Sequence, residues 1–513
     1  MKYTFKISAN HFEQAKSLDF NQKIDVLCCP NYNGSQPPKI QTGAAFFHAD
    51  KKSKLKTRIR DFKALAGNHS LITTDMENGP GEMILGGSEF PEFFGLCSQN
   101  VTETLYEVGK VAALEGREVG FNWTLGPCVD IAENPDSPAV GSRSSGRSPE
   151  EVIKKATAYI HGLQQNGLVA TAKHFPGDGF GIYDQHLTTP ENPLTMSDWR
   201  KLSGRVFQEV IDAGVMAIMP GHISLPAYDH ANPKNGVYPP ATLSPRLMVD
   251  LLRGELGFEG IIVSDAVGMG GIVGYMNVYD ACATFFESGG DLLLFPKIGP
   301  KFYDKMKACV KKGILSEETL IDRTARVLAF KEDLLERGFF KEPVPFIKSE
   351  HEKLADDVTK KTISIVRDRN DLIPKKTQNA KKVLHVIIRN EMIKNENHIY
   401  ELTQELKKNY NNVQELSNPG PDRLFDLAES QNFDLIVCSI VANYNFGTNV
   451  IRLNGLACRN LMQGWMHLET PVVFVSHNHP FIELEYKAVM DTVINTYGST
   501  PTSSKHVCAL LNP

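Results

Sequence analysis

Through the first two thirds of the chain, short apolar runs alternate with long amphipathic stretches. Seven runs read as strands: 24–28, 70–75, 120–125, 168–172, 215–219, 260–264 and 291–295. Most follow a glycine and are rich in β-branched or aliphatic residues, the composition of strands covered on both faces. The stretches between them carry helix signals. Ser148-Pro149-Glu150-Glu151 sets serine at the N-cap, proline at the first helical position and a glutamate three residues after the cap. Val152, Ala156, Tyr159, Ile160 and Leu163 then recur at helical spacing and would bury one face. Ser244-Pro245 opens a later helix in the same way, and Gly257 closes it.

The alternation runs for roughly 300 residues with a strand about every 30 to 50, which fits a doubly wound sheet or a (β/α)8 barrel. Polar residues at the strand ends separate the two. Asp75, Asp130, Lys173-His174, His222 and Asp265 end or follow apolar runs, where burial without a partner would be costly. In a barrel every such end points at one mouth, whereas a doubly wound sheet focuses only a few at its switch point. No Gly-x-Gly-x-x-Gly follows the first strand. The expected fold is α/β, a TIM-type (β/α)8 barrel. The charged, proline-containing stretch from Glu336 to Pro345 reads as a boundary. It predicts a catalytic barrel over 1–340, a linker at 341–345 and a smaller α/β sandwich over 346–513. Strands at 382–388, 433–442 and 471–476 and a helix over 350–365 belong to the sandwich. Its lysine run from Lys375 to Lys382 reads as a solvated surface.

Composition removes several classes of partner. Lys and Arg number 55 against 60 Asp and Glu, a net charge of −5, so nothing favours nucleic acid or an anionic membrane. No apolar run approaches the ~20 residues that span a bilayer, and the N-terminus lacks a signal-peptide core. Nine cysteines in no metal-binding spacing read as reduced thiols, and the expected compartment is the cytoplasm.

The polar strand ends supply the chemistry. Two groups on opposite sides of a glycosidic bond suffice to cleave it. Asp265 follows its apolar run directly and is the candidate nucleophile, although an Asp after a strand is more often a helix N-cap. The segment Lys173-His174-Phe175-Pro176-Gly177-Asp178-Gly179 runs on to Asp184-Gln185-His186 as a glycine-rich loop. There the Asp184 carboxylate can orient His186, which can donate a proton to a leaving oxygen and later take one from water. A surface-loop histidine is the plainer reading of Asp-x-His alone. A metal site from His174, His186 and Asp178 stays open, though no early His-x-His pair accompanies it.

This loop resembles the catalytic loop of β-N-acetylglucosaminidases of glycoside hydrolase family 3. Other segments agree in order: Asp75-Met-Glu-Asn-Gly79, Pro127-Cys-Val-Asp130, Gly141-Ser-Arg143-Ser, Ile218-Met-Pro-Gly-His222 and the run from Gly257 through Asp265 to Met269. Asn495-Thr-Tyr-Gly498 with Ser503-Ser504 resembles the end of the second domain in two-domain members. The resemblance implies a retaining, exo-acting β-N-acetylhexosaminidase that works through a covalent glycosyl-enzyme, without cofactor or metal. Its partner would be a β-linked N-acetylglucosamine oligosaccharide or glycoconjugate. Asp265 would be the nucleophile and His186 the acid/base, with Asp184 beside it. Asp75, Arg143, Lys173, His174, His222 and Met269 would bind substrate. The loop's glycines would let Asp184 and His186 stand apart and meet only over bound sugar.

The pattern also departs from the family. Asn78 interrupts a glycine pair, and Met83 stands where an arginine is usual. Ala266 replaces a second aspartate, and Asp178 replaces a common histidine. Two further readings remain: a β-glucosidase or β-xylosidase on the same fold, and a non-catalytic carbohydrate-binding homologue.

Overall fold

Eight parallel strands of two to six residues form the centre of the first unit of the fold: β1 (Cys28–Cys29), β2 (Ala44–Phe46), β3 (Leu71–Thr74), β4 (Trp123–Thr124), β5 (Thr171–Phe175), β6 (Ala217–Pro220), β7 (Ile261–Ala266) and β8 (Leu292–Leu294). Ladders run through β5, β6, β7, β8 and β1 and through β2, β3 and β4. Single bridges from Asn31 to Phe46 and from Trp123 to Val169 join the two ladders and close the ring. Neighbours in the ring are neighbours in sequence, which is the (β/α)8 topology. The structure, a computed structural model, describes residues 1–32, 43–96, 102–231, 233–390, 397–430, 432–442, 447, 449 and 451–513.

The helices between strands form as their signals predict. Ser148 caps Pro149–Gln164, its hydroxyl accepting the Glu151 N–H at 3.3 Å, and Val152, Ala156, Tyr159, Ile160 and Leu163 are buried. That helix packs against Thr102–Val119 at a distance only glycine allows. A Cβ on Gly109 would stand 2.5 Å from the Tyr159 carbonyl oxygen, and one on Gly162 would stand 2.1 Å from that of Tyr106. Two strand expectations need correction. Residues 24–28 are largely helix (Phe20–Val26), because Asp19 and Gln22 cap it reciprocally at 2.9 and 2.8 Å, and only Cys28–Cys29 pair as strand. The strand Ala44–Phe46 was not predicted, being three residues long and too short to show a period.

The first unit comprises Met1–Ser88, Val101–Val140 and Ser144–Lys348, and the second comprises Glu89–Asn100, Gly141–Arg143 and Ser349–Pro513. The second is built on six strands: β9 (Ser364–Asp368), β10 (Lys382–Arg389), β11 (Asn412–Ser417), β12 (Leu435–Val441), β13 (Val472–His477) and β14 (Thr492–Asn495). Their order is β9-β14-β13-β12-β10-β11, parallel except for β9. Helices cover both faces. Leu424, Ala428 and Ala457 pack with Leu384, Val386 and Ile388 on one side, and Leu402, Leu406 and Val507 pack with Val383, Val437 and Val475 on the other. Double coverage explains why the inner strands β12 and β13 are buried along their whole length and mostly apolar, whereas the edge strands β9 and β11 carry polar, partly exposed residues. No helix among the described residues is long and apolar enough to cross a membrane.

Two histidines sit inside this second unit. His385 Nε2 and His477 Nε2 lie 2.9 and 3.1 Å from the one Ser439 hydroxyl, and His385 Nδ1 lies 2.7 Å from the Thr403 hydroxyl. Burial, with His477 adding repulsion, pushes His385 down to about 3, and burial pushes His477 down to about 4. Both stay neutral in the folded chain, while in the unfolded chain they protonate near ~6.5. The unfolded state therefore binds more protons below that pH, and stability is lost as pH falls from ~6.5 toward the folded values. At pH 5 the loss should be about 2 kcal/mol per histidine. Urea unfolding of the whole chain followed by the second unit's signal should show a lower midpoint at pH 5 than at pH 7. His385→Gln should flatten that dependence, and an equally steep one would show that these histidines do not set it.

Candidate active site

The C-terminal strand ends bring the predicted polar residues into one mouth. Two bulges set its floor. On β5, Lys173 pairs with Met219 and Phe175 with Pro220, so His174 is an extra residue in the ladder. On β7, Val263 pairs with Leu292 and Ala266 with Leu294, leaving two residues, Ser264 and Asp265, opposite one. The Ser264 hydroxyl accepts the Leu294 N–H at 3.0 Å across this irregular register. Bulges re-aim side chains, and here they turn His174 and Asp265 toward each other. His174 Nε2 stands 3.9 Å from Asp265 Oδ2.

His174 is gripped from behind. Its Nδ1 lies 2.7 Å from Asp130 Oδ2, and its backbone N–H donates to both oxygens of that carboxylate at 3.2 and 3.1 Å. The Asp178 N–H adds a bond of 2.7 Å to Asp130. Burial alone would raise Asp130, but His174 and these donors hold it below the usual carboxylate range. Asp265 follows the same logic. It is buried, which raises a carboxyl, yet His174, His222 and His186 in that order, with the Ala266 N–H at 2.7 Å, draw it below its ordinary value.

His222 braces the same strand end. Its Nε2 donates to the Ala266 carbonyl at 3.0 Å and its Nδ1 meets the Thr242 hydroxyl at 2.8 Å. Both ring nitrogens thus serve protein groups, and burial lowers the imidazole despite the attraction of Asp265. Lys173 is buried between two carboxylates, 3.2 Å from Asp75 Oδ1 and 2.5 Å from Glu77 Oε1. Met269 is buried where β7 turns into the short helix Gly270–Val273.

Asp184 and His186 are already joined. His186 Nδ1 lies 2.6 Å from Asp184 Oδ1, which also accepts the His186 N–H at 2.9 Å. Asp184 is buried, and the imidazole is about a quarter exposed. The carrying loop is fastened to the turn after β7. Gly270 N–H donates to the His186 carbonyl at 2.7 Å, Gly271 N–H to that of Gln185 at 3.0 Å, and the Thr189 hydroxyl to that of Gly271 at 2.6 Å. Arg143 lies in the second unit, where it is buried and its turn packs against the helix Phe93–Leu96.

Cys128, Asp130 and His174 hold three donor atoms within 4.8 Å of one another. Those atoms already serve one another: the Cys128 thiol donates to Asp130 Oδ2 at 3.2 Å beside the His174 bond. His174, His186 and Asp178 are not gathered as a common ion-binding group among the described residues. One group escaped the sequence reading: Glu77, the nearer partner of Lys173, whose signal was the second acid of Asp75-Met-Glu77. Asp130 was expected at the mouth as a polar strand end, but its grip on His174 was not.

Residues 40–330, more than half of the chain, match the sequence profile of the glycosyl hydrolase family 3 N terminal domain. A β-N-acetylglucosaminidase/β-glucosidase of Cellulomonas fimi is 26% identical over 96% of this chain and 91% of its own length. A β-hexosaminidase A of Pseudoalteromonas piscicida is 31% identical over 44% of this chain and 40% of its own length. Among solved structures, a β-glucoside phosphorylase bound to 2FGlc superposes with a TM-score of 0.88 at 26% identity, covering 99% of this chain and 95% of its own.

The electrostatics around Asp265 generate a test. His174→Asn keeps an amide near Asp130 but removes the largest of the attractions on Asp265, so the carboxyl should titrate at higher pH. The low-pH edge of kcat/KM should move upward, and activity should fall on the order of a hundredfold. An unmoved edge would show that His174 does not hold Asp265 ionised.

Proposed function

Because the chain belongs to glycosyl hydrolase family 3, we propose that it is a retaining, exo-acting β-N-acetylhexosaminidase that releases terminal β-linked N-acetylglucosamine. The observation that carries this reading is the 2.6 Å Asp184–His186 pair on a loop fastened beside the Asp265 strand. Asp265 attacks the anomeric carbon, and the glycosidic bond breaks toward the leaving oxygen. With Nδ1 committed to Asp184, His186 as an imidazolium delivers the proton through Nε2 and is left neutral; Asp184 stabilises the charged ring before that step and again when it takes a proton from water. Water then enters from the vacated side, gives its proton to His186 and frees the sugar with net retention. Asp75, Lys173 and His174 supply hydrogen-bonding groups for the terminal sugar. His222 acts behind them by fixing the Ala266 carbonyl, and Met269 packs at the same turn. Arg143 is assigned to the sugar on the motif alone.

A second reading changes only the acceptor. The fold match to a β-glucoside phosphorylase supports it, and a histidine in place of a second carboxylate spares an incoming phosphate anion–anion repulsion. A panel of aryl β-glycosides, run with and without inorganic phosphate, tests donor and acceptor together. The proposal expects the N-acetylglucosaminide to be cleaved fastest and free sugar to form in buffer without phosphate. Preference for the glucoside overturns the donor assignment. Sugar 1-phosphate as the main product, formed faster than sugar is released in water, overturns the acceptor.

The dyad has its own signature. His186→Ala should lose far more kcat/KM on N,N′-diacetylchitobiose than on an aryl glycoside with an acidic phenol, because a good leaving group departs without a proton. Asp184→Asn should show the same trend more weakly. Equal losses on both substrates would return His186 to an ordinary loop residue.

A further inference from the structure

The loop that carries the dyad is polar where it is fastened and apolar where it is exposed. Its backbone is tied to the barrel on both flanks: the Asn134 side-chain amide donates to the Phe180 carbonyl at 3.2 Å, and Asn192 N–H donates to that of Ser224 at 2.8 Å. Yet Ile182, Tyr183 and Leu187 are 54%, 60% and 48% exposed. A groove of about 490 Å³ runs along this face, lined by Phe180, Ile182, Tyr183, Thr188, Glu191 and Pro193 among others. Its lining residues bracket Asp184 and His186 in sequence, and they include a carboxylate, Glu191, but no lysine or arginine.

Large apolar side chains held in water on a tethered loop are a binding surface in want of an occupant. The occupant is set by the neighbour. His186 must reach the oxygen of the departing group, so that group's next ring lies on the loop that carries His186. From this the geometry points to the groove as the leaving-group subsite. Tyr183 and Ile182 receive the apolar face of a neutral ring, and Glu191 selects against leaving groups that carry a carboxylate. The substrate class is thus a neutral oligosaccharide or an uncharged aglycone rather than an acidic sugar conjugate. The inference rests on the proposed role of His186.

The test compares substrates that need the same proton but differ in what the groove can hold. Methyl β-N-acetylglucosaminide and N,N′-diacetylchitobiose both have poor leaving groups, but only the second has a ring to place on Tyr183. In Tyr183→Ala and Ile182→Ser the chitobiose-to-methyl ratio of kcat/KM should fall, about tenfold for Tyr183→Ala. In Glu191→Gln, activity on an aryl glycoside whose phenol carries a carboxylate should rise several-fold relative to its carboxamide analogue. An unchanged ratio in Tyr183→Ala, or equal loss on both substrates, overturns the subsite, since equal loss marks a disturbed His186. An unchanged carboxylate-to-carboxamide ratio overturns the role of Glu191. If the unaltered protein cleaves glucosides but neither acetamido substrate, the donor assignment fails instead. Methyl β-glucoside and cellobiose then put the same question to the groove.

Discussion

The site depends on keeping a buried carboxylate ionised. Taking Asp265 out of water favours its protonated form, which could not serve as the nucleophile that the proposed reading requires. Three histidines reverse that preference, two of them held by carboxylates and the third by neutral groups. His174 leans on Asp130, His186 on Asp184, and His222 is clamped between the Thr242 hydroxyl and the Ala266 carbonyl. In the first two, a carboxylate stands behind the imidazole on the side away from Asp265. A buried charge without such a shell would be expensive. The groups come from the ends of β4, β5, β6 and β7 and from the loop after β5, so ring closure is a precondition for the chemistry.

Local irregularity does what a regular strand cannot. Successive residues of a strand face opposite sides, yet Lys173 and His174 both make polar contacts at the mouth, one with Asp75 and Glu77 and the other with Asp130 and Asp265. The bulge on β5 makes that possible, and the bulge on β7 does the same for Asp265 beside Ser264. Ser264 ties the shifted register across the bulge, since its hydroxyl accepts the N–H of Leu294.

These features mark what a sequence can disclose. The barrel was legible because doubly covered strands are apolar and their ends are polar, and six of the eight strands follow from that contrast. The strand Ala44–Phe46 was illegible because three residues carry no period, and 24–28 was misread because the Asp19–Gln22 cap outweighed its aliphatic composition. Asp184 and His186 were legible together since two residues of separation suffice for the hydrogen bond. The grip of Asp130 on His174 was not. Those residues are 44 positions apart, and their meeting depends on a bulge that no composition announces. The same limit applies to Arg143, whose motif is plain but whose turn groups with the second unit.

On the proposed reading, the two reacting groups sit on elements of unlike stiffness, and their tasks explain the division. The nucleophile must meet one carbon of one sugar, so it belongs on a buried strand whose ladder and bulge fix it. The acid must meet an oxygen whose far side changes with every leaving group. A loop suits that task if it holds the imidazole orientation while presenting its outer side chains to the variable part. The bond from Asp184 to His186 and the backbone ties to Gly270 and Gly271 supply the first condition, and the exposed Ile182, Tyr183 and Leu187 supply the second. A histidine fits such a loop better than a carboxylate would. Its two nitrogens separate the jobs, one kept by Asp184 and the other given to the substrate, so proton transfer at one edge need not loosen the anchor at the other.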